Sequence, residues 1–541
     1  MRLIIRRITD KAFTCLTGTS VMLLTSVLLI VLGPMVWRGA KAVMFKDTVE
    51  FRKMQLDLYN RGNPENLNIE VAETENFRTV VYETIDEFKH GIDAEELTDK
   101  AKQIYRQFGK ELRYKGITGQ QYQKIRSLAR NLRDRLQAAF ESNDKNIIKE
   151  NIDYVLQYRT NEYFVDTAAA EFFTLAEDFQ KSIENIDLNK RQQYAASLKQ
   201  VEETIFRLLG PKPDDPLPAL TMERYGATRW DLAEKLLGKL LWSEQWIQKQ
   251  AGQPLVKIHI SRAEEFAGTK LEPLFGYVEN NLDNMLKPEF RFYWRYFIDD
   301  STPGHYFGGV GPEILGTLLL TLLAMLFVFP LGVISAAYLV ECASDNIAVR
   351  VIRMCVNTLA GVPSIVFGLF GLAFFVLFFI PLFGGPSKPC ILAASLTLAV
   401  LTLPVMIRAS EEAIRSVPQA YKEASLGLGA SSFRTFVKVT LPAALPGILT
   451  GLILSLSRVA GETAPILFTG AVALGPLPKS LFDPTRTLSY GSYDIAVGDR
   501  LAMMVPHNQY GMVVTLVLLI LCLNALAIVL RARVFRKLRG H

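Results

Sequence analysis

Two ionisable residues four apart, Arg458 and Glu462, stand in the otherwise apolar stretch SRVAGETAPILF at positions 457–468. Charged side chains at bilayer depth cost free energy even after snorkelling, so such a pair must be compensated or used. On a continuous helix the two share a face, with Thr463 beside them. Cation before anion is the weaker order for helix support, so local stabilisation is a poor sole reason for them. Arg458 on a transport path would attract an oxyanion, because its planar fork makes two charge-assisted hydrogen bonds. Glu462 would orient that fork and keep binding weak enough for release, and Thr463 would add a hydroxyl. The competing reading is structural: the pair neutralises itself and ties its helix to a neighbour. Pro465 lacks a backbone donor and crowds the carbonyl of Gly461, so a kink or break is expected just after the pair.

The element that positions these residues is a membrane span. Crossing roughly 30 Å of hydrocarbon takes about 20 mostly apolar residues. Six segments qualify: 16–37, 311–340, 356–383, 391–407, 442–474 and 512–530. The first is too long and too lightly terminated for a cleaved signal peptide and reads as a retained helix. With the fifth span starting near Pro442, Arg458 would lie about 24 Å along it, in the outer half of the bilayer or at the wall of an outward-facing cavity.

Lys and Arg in short flanking segments set orientation. Arg2, Arg6, Arg7 and Lys11 precede the first span, and Arg531, Arg533, Arg536, Lys537 and Arg539 follow the last. Six crossings place both basic ends on one side, which is therefore cytoplasmic. Arg408, Arg415, Lys422, Arg434 and Lys438, between spans four and five, fall on the same side. Residues 38–307 then lie outside the cytoplasm, with a slight excess of acidic residues. The overall formal charge of +6 thus comes from the cytoplasmic edges, and reports topology and anionic lipid rather than nucleic acid. All five cysteines (Cys15, Cys342, Cys355, Cys390 and Cys522) lie in or beside the spans, so the outer region folds without disulfides.

The most specific pattern is EASLGLGASSFRTFVKVTLPAALPG, positions 423–447. Glu423 through Leu428 can form a short amphipathic helix, Gly427 and Gly429 permit a sharp exit, and Pro442 suits the start of the next span. Glu423-Ala424-Ser425, then Gly429, then Val439 and Leu441-Pro442 resemble the Glu-Ala-Ala loop of ABC importer permeases. The departures are Ser for the second Ala and Val for Ile. In that family the segment is a short helix on the membrane surface that docks in a groove of the ATPase subunit. An ordinary helix–turn–helix between spans is the plain alternative. The chain holds no Gly-rich loop ending in Gly-Lys-Ser/Thr; GPLPKS at 475–480 lacks the glycine before its lysine. Nucleotide chemistry must therefore come from a partner.

Four further segments appear in order: GGVGPEILGTLLLT (308–321), GVPSIVFGLFG (361–371), LPVMIRASEEAIRSVP (403–418) and SRVAGETAPILFTGA (457–471). Together they resemble the A-type permease of the bacterial high-affinity phosphate importer. The resemblance implies an all-α polytopic membrane protein with a type I ABC importer permease core over residues 308–541. Its coupling loop covers residues 408–441, and residues 1–37 hold the cytoplasmic N-terminus and first span. It implies ATP-driven import of inorganic phosphate by alternating access across the bacterial inner membrane. The implied partners are an ATPase dimer that binds ATP and Mg, a C-type permease and a periplasmic phosphate-binding protein. A permease for another oxyanion or small solute is the runner-up. A membrane-anchored sensor would need a cytoplasmic output domain, and the longest cytoplasmic segment is the coupling loop.

The region 38–307 departs from the common form of that permease, whose first two spans are joined by a short connection. From Gln121 to Leu209 it contains neither Gly nor Pro. Apolar stripes (Ile125, Leu128, Leu132, Leu136, then Phe172, Leu175, Phe179) and polar breaks at 142–144 and 185–189 predict two to four antiparallel helices. Pro211 to Pro218 read as a stiff linker, residues 230–246 as one more helix, and PLVKIHI (254–260) as a short strand. No metal-ligand cluster, catalytic constellation or repeat is legible there. A helical spacer and a sensor or docking surface both fit.

Overall fold

In hydrocarbon a backbone must satisfy its polar groups internally, which turns apolar runs into helices. The computed structural model describes residues 2–184, 186–213, 227–247, 256–344, 346–497 and 506–539. It divides into two compact units, residues 1–44 with 292–541, and residues 45–291.

The second unit is helical. After β1 (Met44–Asp47) come α2 (Val49–Tyr59), α3 (Pro64–Ile92), α4 (Ala94–Tyr114), α5 (Gly119–Glu141) and α6 (Lys145–Leu156). Then follow α7 (Glu171–Ser182), α8 (Arg191–Leu209) and α9 (Trp230–Leu241). The stretch without Gly or Pro thus makes four helices. The break at 142–144 stands where expected, Asp144 accepting the backbone N–H of Asn146 at 2.8 Å. Ile125, Leu132, Leu136, Phe172 and Phe179 are buried in one core, with Leu128 and Leu175 packed at its edge. Phe88, Tyr194, Phe266 and Phe275 form an aromatic centre with ring centroids 5.5–5.9 Å apart. Arg78 fastens the helix ends: it pairs with Glu50 at 2.7 Å and donates to the carbonyls of Leu209 and Met285.

The helix expected over 230–246 stops at Leu241. Residues Trp242–Ile247 instead form β2, which pairs antiparallel with β3 (Val256–Ser261), Trp242 facing Ser261. Here the backbone groups of 242–247 find their partners on the second strand rather than four residues back along a helix. The expected strand within 254–260 is present from Val256, and the 214–218 part of the expected linker lies outside the described residues. The single turn α10 (Arg262–Glu265), the longer α11 (Glu272–Leu286) and β4 (Glu289–Phe292) complete the unit.

Among the described residues the first unit holds six helices long and apolar enough to cross a membrane: Lys11–Ala40, Gly311–Cys342, Ser364–Leu382, Ile391–Arg415, Ser432–Gly461 and Pro506–Arg536. They belong to α1 (Arg2–Ala40), α12 (Gly311–Ala337), α14 and α15 (Ser364–Gly371, Ile380–Leu382), α16 (Ile391–Arg415), α18 and α19 (Ser432–Thr435, Leu441–Gly461) and α22 (Pro506–Arg539). α16 is the central helix, packed against both α12 and α19. Close approach there depends on small residues. A Cβ at Gly447 would stand 2.7 Å from Ala413, and one at Gly451 would stand 2.5 Å from Ala409. This is the small-xxx-small packing of membrane helices.

The fourth span runs on past 407 to Arg415, and the third and fifth depart further from expectation. The third begins at Ser364, not 356. Residues up to Leu359 belong to a separate amphipathic helix, α13 (Ile347–Leu359), capped by Asn346 and ended before Gly361 and Pro363. Its Arg350 and Arg353 make it a costly helix to place in hydrocarbon, and Arg353 pairs with Glu411 at 3.3 Å. The fifth span is shifted N-terminally: one helical path runs from Ser432 through a π-helical turn at Phe436–Thr440 to Gly461. Pro442 therefore lies inside the path rather than at its start. The widened turn sits just where a proline cannot donate its backbone hydrogen bond.

Candidate functional site

The segment expected to dock on an ATPase is built from a helix and its cap. α17 (Gln419–Gly427) carries Glu423, Ala424, Ser425 and Gly427, and none of its residues is buried. Gly429 adopts φ +84. The N–H of Ala430 reaches the carbonyl of Ser425 at 3.2 Å, and the N–H of Gly429 reaches that of Leu426 at 2.9 Å. This is a Schellman cap, whose left-handed position suits glycine. Gly427, expected to share that role, is an ordinary helical residue. Ser425 and Thr435 hydroxyls lie 2.9 Å apart, closing the turn onto α18. Lys422 pairs with Glu341 at the end of the second span. Leu426, Leu428 and Phe433 are left exposed, Leu428 at 89%. Leu441 packs inward against the core of the spans.

Arg458 lies in the last turn of α19, where a cation complements the helix dipole. Its Nε stands 3.5 Å from Glu462 Oε1, and both side chains are partly exposed, at 33% and 19%. The two do not share a helix. α19 ends at Gly461, Glu462 is extended (φ −73, ψ 132), and α20 (Ala464–Thr469) begins after Thr463. The break thus falls within the pair rather than after it, and the span does not continue to 474. Pro465 sits in the first turn of α20, where a missing N–H costs nothing. Ser457 bonds Asn524 of α22 at 2.9 Å. Ser489, in α21 (Leu488–Val497), donates to the carbonyl of Glu462 at 3.2 Å.

A second charged group has no conspicuous mark in the sequence. Arg486 Nη1 lies 2.7 Å from Asp300 and 3.5 Å from Glu313, with Arg486 4% and Glu313 1% exposed. Neither Arg486 Nη2 nor either ring nitrogen of the neighbouring His305 has a hydrogen-bond partner. Burial and the positive Arg486 push the His305 imidazole down to about 4, so it stays neutral. The backbone of Arg486 runs hard against α12, where a Cβ at Gly316 would meet its carbonyl at 1.9 Å. Leu488 N–H donates to Thr317 Oγ1 at 3.0 Å. Residues 486–489 therefore join the buried group to the backbone of Glu462. The one signal in the sequence is Glu313, which reads as an ordinary acid in a helix's first turn. Among the described residues no three His, Cys, Asp or Glu side chains converge as metal ligands.

Residues 314–540 match the family model described as binding-protein-dependent transport system inner membrane component. A probable ABC transporter permease protein, YqgI of Bacillus subtilis, is 35% identical over 43% of this chain and 81% of its own length. A phosphate transport system permease protein, PstA 1 of Mycobacterium tuberculosis, is 41% identical over 32% of this chain and 55% of its own. A probable phosphate transport system permease protein, PstA of Methanocaldococcus jannaschii, is 34% identical over 37% of this chain and 72% of its own.

Proposed function

The chain belongs to the family of binding-protein-dependent transport system inner membrane components, and we propose that it is the A-type permease subunit of an ATP-driven phosphate importer. It is a multi-pass membrane protein of a family whose members work with ATPase and substrate-binding partners. In this reading both termini are cytoplasmic and the unit of residues 45–291 faces the periplasm. The complete importer adds a C-type permease, an ATPase dimer that binds ATP and Mg, and a phosphate-binding protein.

One observation carries the reading. The exposed helix α17 is joined through the Gly429 turn to a single helical path, 432–461, whose far end holds Arg458. A force applied where the ATPase docks is thereby delivered by one rigid element to the charged pair. Arg458 presents a fork suited to a tetrahedral oxyanion. Glu462 competes for that fork, so the anion is attracted yet released. Thr463 offers a hydroxyl at the same break. The phosphate permeases among the relatives favour phosphate over other oxyanions.

The test is uptake by the reconstituted importer with its phosphate-loaded binding protein. ATP-dependent phosphate accumulation that sulfate and molybdate do not replace is expected. Uptake of either in place of phosphate would move the assignment to another oxyanion, and no ATP-dependent uptake of any of the three would refute the transport reading.

A further inference from the structure

The unit of residues 45–291 contains a cavity of about 550 Å³ between α8, α9 and the β2–β3 hairpin. That volume lies within the roughly 300–1,000 Å³ usual for small-molecule sites. Arg262 forms part of its wall and is 7% exposed. Two of its nitrogens brace the fold: Nε donates to the carbonyl of Lys239 at 3.3 Å and Nη2 to Gln200 Oε1 at 3.0 Å. Nη1 has no partner. A buried guanidinium nitrogen left unpaired is costly, and a structural brace does not account for it.

The rest of the lining has the same preference. Lys235, Lys239 and Arg207 join Arg262, against the carboxylates Glu203 and Glu244. Glu203 is already held by Arg207 at 2.6 Å. Glu265 is the carboxylate whose field reaches Arg262, and its Oε1 accepts from Ser243 at 2.6 Å. Cations therefore outnumber acids along the wall. Trp242, half exposed, supplies a flat apolar surface. Gly238 leaves room, since a Cβ placed there would meet nothing within 4 Å.

We propose that this cavity binds a small organic oxyanion, a phosphate monoester or a carboxylate, with its anionic group at Arg262 and its body against Trp242. Charge-assisted bonds from a guanidinium and two lysines suit either group, and the volume exceeds what a bare inorganic ion fills. The site is separate from the transmembrane pair and does not depend on the transport reading.

Calorimetric titration of the full chain in lipid nanodiscs tests it, in an Arg458→Ala background so that an anion at the transmembrane pair does not contribute. The probes are glycerol 3-phosphate, succinate, inorganic phosphate and neutral glycerol. One of the two organic anions should bind one to one, and the arm that binds identifies the anionic group. Lys239→Ala and Arg262→Gln should each weaken that binding at least about tenfold, or roughly 1.4 kcal/mol. Gly238→Leu fills the open space without touching Arg262 and should abolish it, which keeps the test decisive even where Arg262→Gln fails to fold. Binding by neither organic anion at millimolar concentration, binding of inorganic phosphate alone, or affinity unchanged by Gly238→Leu would each overturn the proposal.

Discussion

Arg458 Nε and Glu462 Oε1 stand 3.5 Å apart across a helix end, Arg458 in the last turn of α19 and Glu462 in the extended link to α20. A pair on one helix is held by the helix. A pair across a break is held by no single helix, and in the proposed mechanism it separates to exchange its partner for an anion.

The first prediction follows from that geometry. Arg458→Ala should abolish ATP-dependent phosphate uptake while the subunits still copurify, because the side chain is one-third exposed. Arg458→Lys should retain a small fraction of activity, since a point charge replaces the bidentate fork. Loss of copurification in the alanine variant would assign the pair a purely structural role.

The buried group behaves differently. Arg486→Met leaves Glu313 without its nearest cation in a site 1% exposed, and removing one partner of a buried pair typically costs about 3–5 kcal/mol. Thermal unfolding in detergent should show a large drop. Glu313→Gln should cost less, because Asp300 remains at 2.7 Å to pair with Arg486. Equal losses in the two variants would mean that Asp300 contributes nothing.

These two groups also mark what a sequence discloses. Arg458 and Glu462 are conspicuous because their neighbours are apolar, and the coupling helix because its Glu, Gly and Leu-Pro spacings fall within one stretch. Glu313 and Arg486 lie far apart in the chain, each beside ordinary helix-end or loop residues, so only the fold pairs them. Hydropathy alone extends the third span back to 356, because Val356 and Leu359 are apolar. The Asn346 cap and Pro363 that separate α13 are local signals, outweighed by that hydropathy. The helix expected to reach 246 stops at Leu241, where Trp242–Ile247 pair with strand 256–261; the pattern of 254–260 shows that strand, but no local pattern encodes the pairing.

At the coupling turn, Gly429 holds φ +84, a conformation that costs a β-branched residue roughly 1–3 kcal/mol. Nothing stands within 4 Å of a Cβ there, so Gly429→Val strains the backbone without a clash. The cap should open and α17 should lose its fixed angle to the helix that follows. ATPase activity of the reconstituted complex should then become independent of the loaded binding protein, or the ATPase should dissociate. Gly427→Ala, at a helical position with open space around it, is the control and should leave coupling intact. Normal stimulation in the valine variant would show that the turn does not set the docking geometry.

The last prediction concerns pH. His305 keeps its imidazole neutral down to about 4, against an ordinary value of 6.5, through burial first and the field of Arg486 second. Between those values the unfolded chain takes up a proton that the folded chain does not, so stability falls as pH drops below about 6.5. From pH 7 to pH 5 the loss is about 2 kcal/mol, since a tenfold change in proton activity across that window is worth roughly 1.4 kcal/mol. His305→Asn removes the titration, and asparagine tolerates the left-handed backbone found there at φ +56. Thermal unfolding in detergent at the two pH values should therefore show a smaller acid loss in the variant than in the parent. Identical losses would mean that the imidazole is solvated and charges freely, contrary to its 2% exposure.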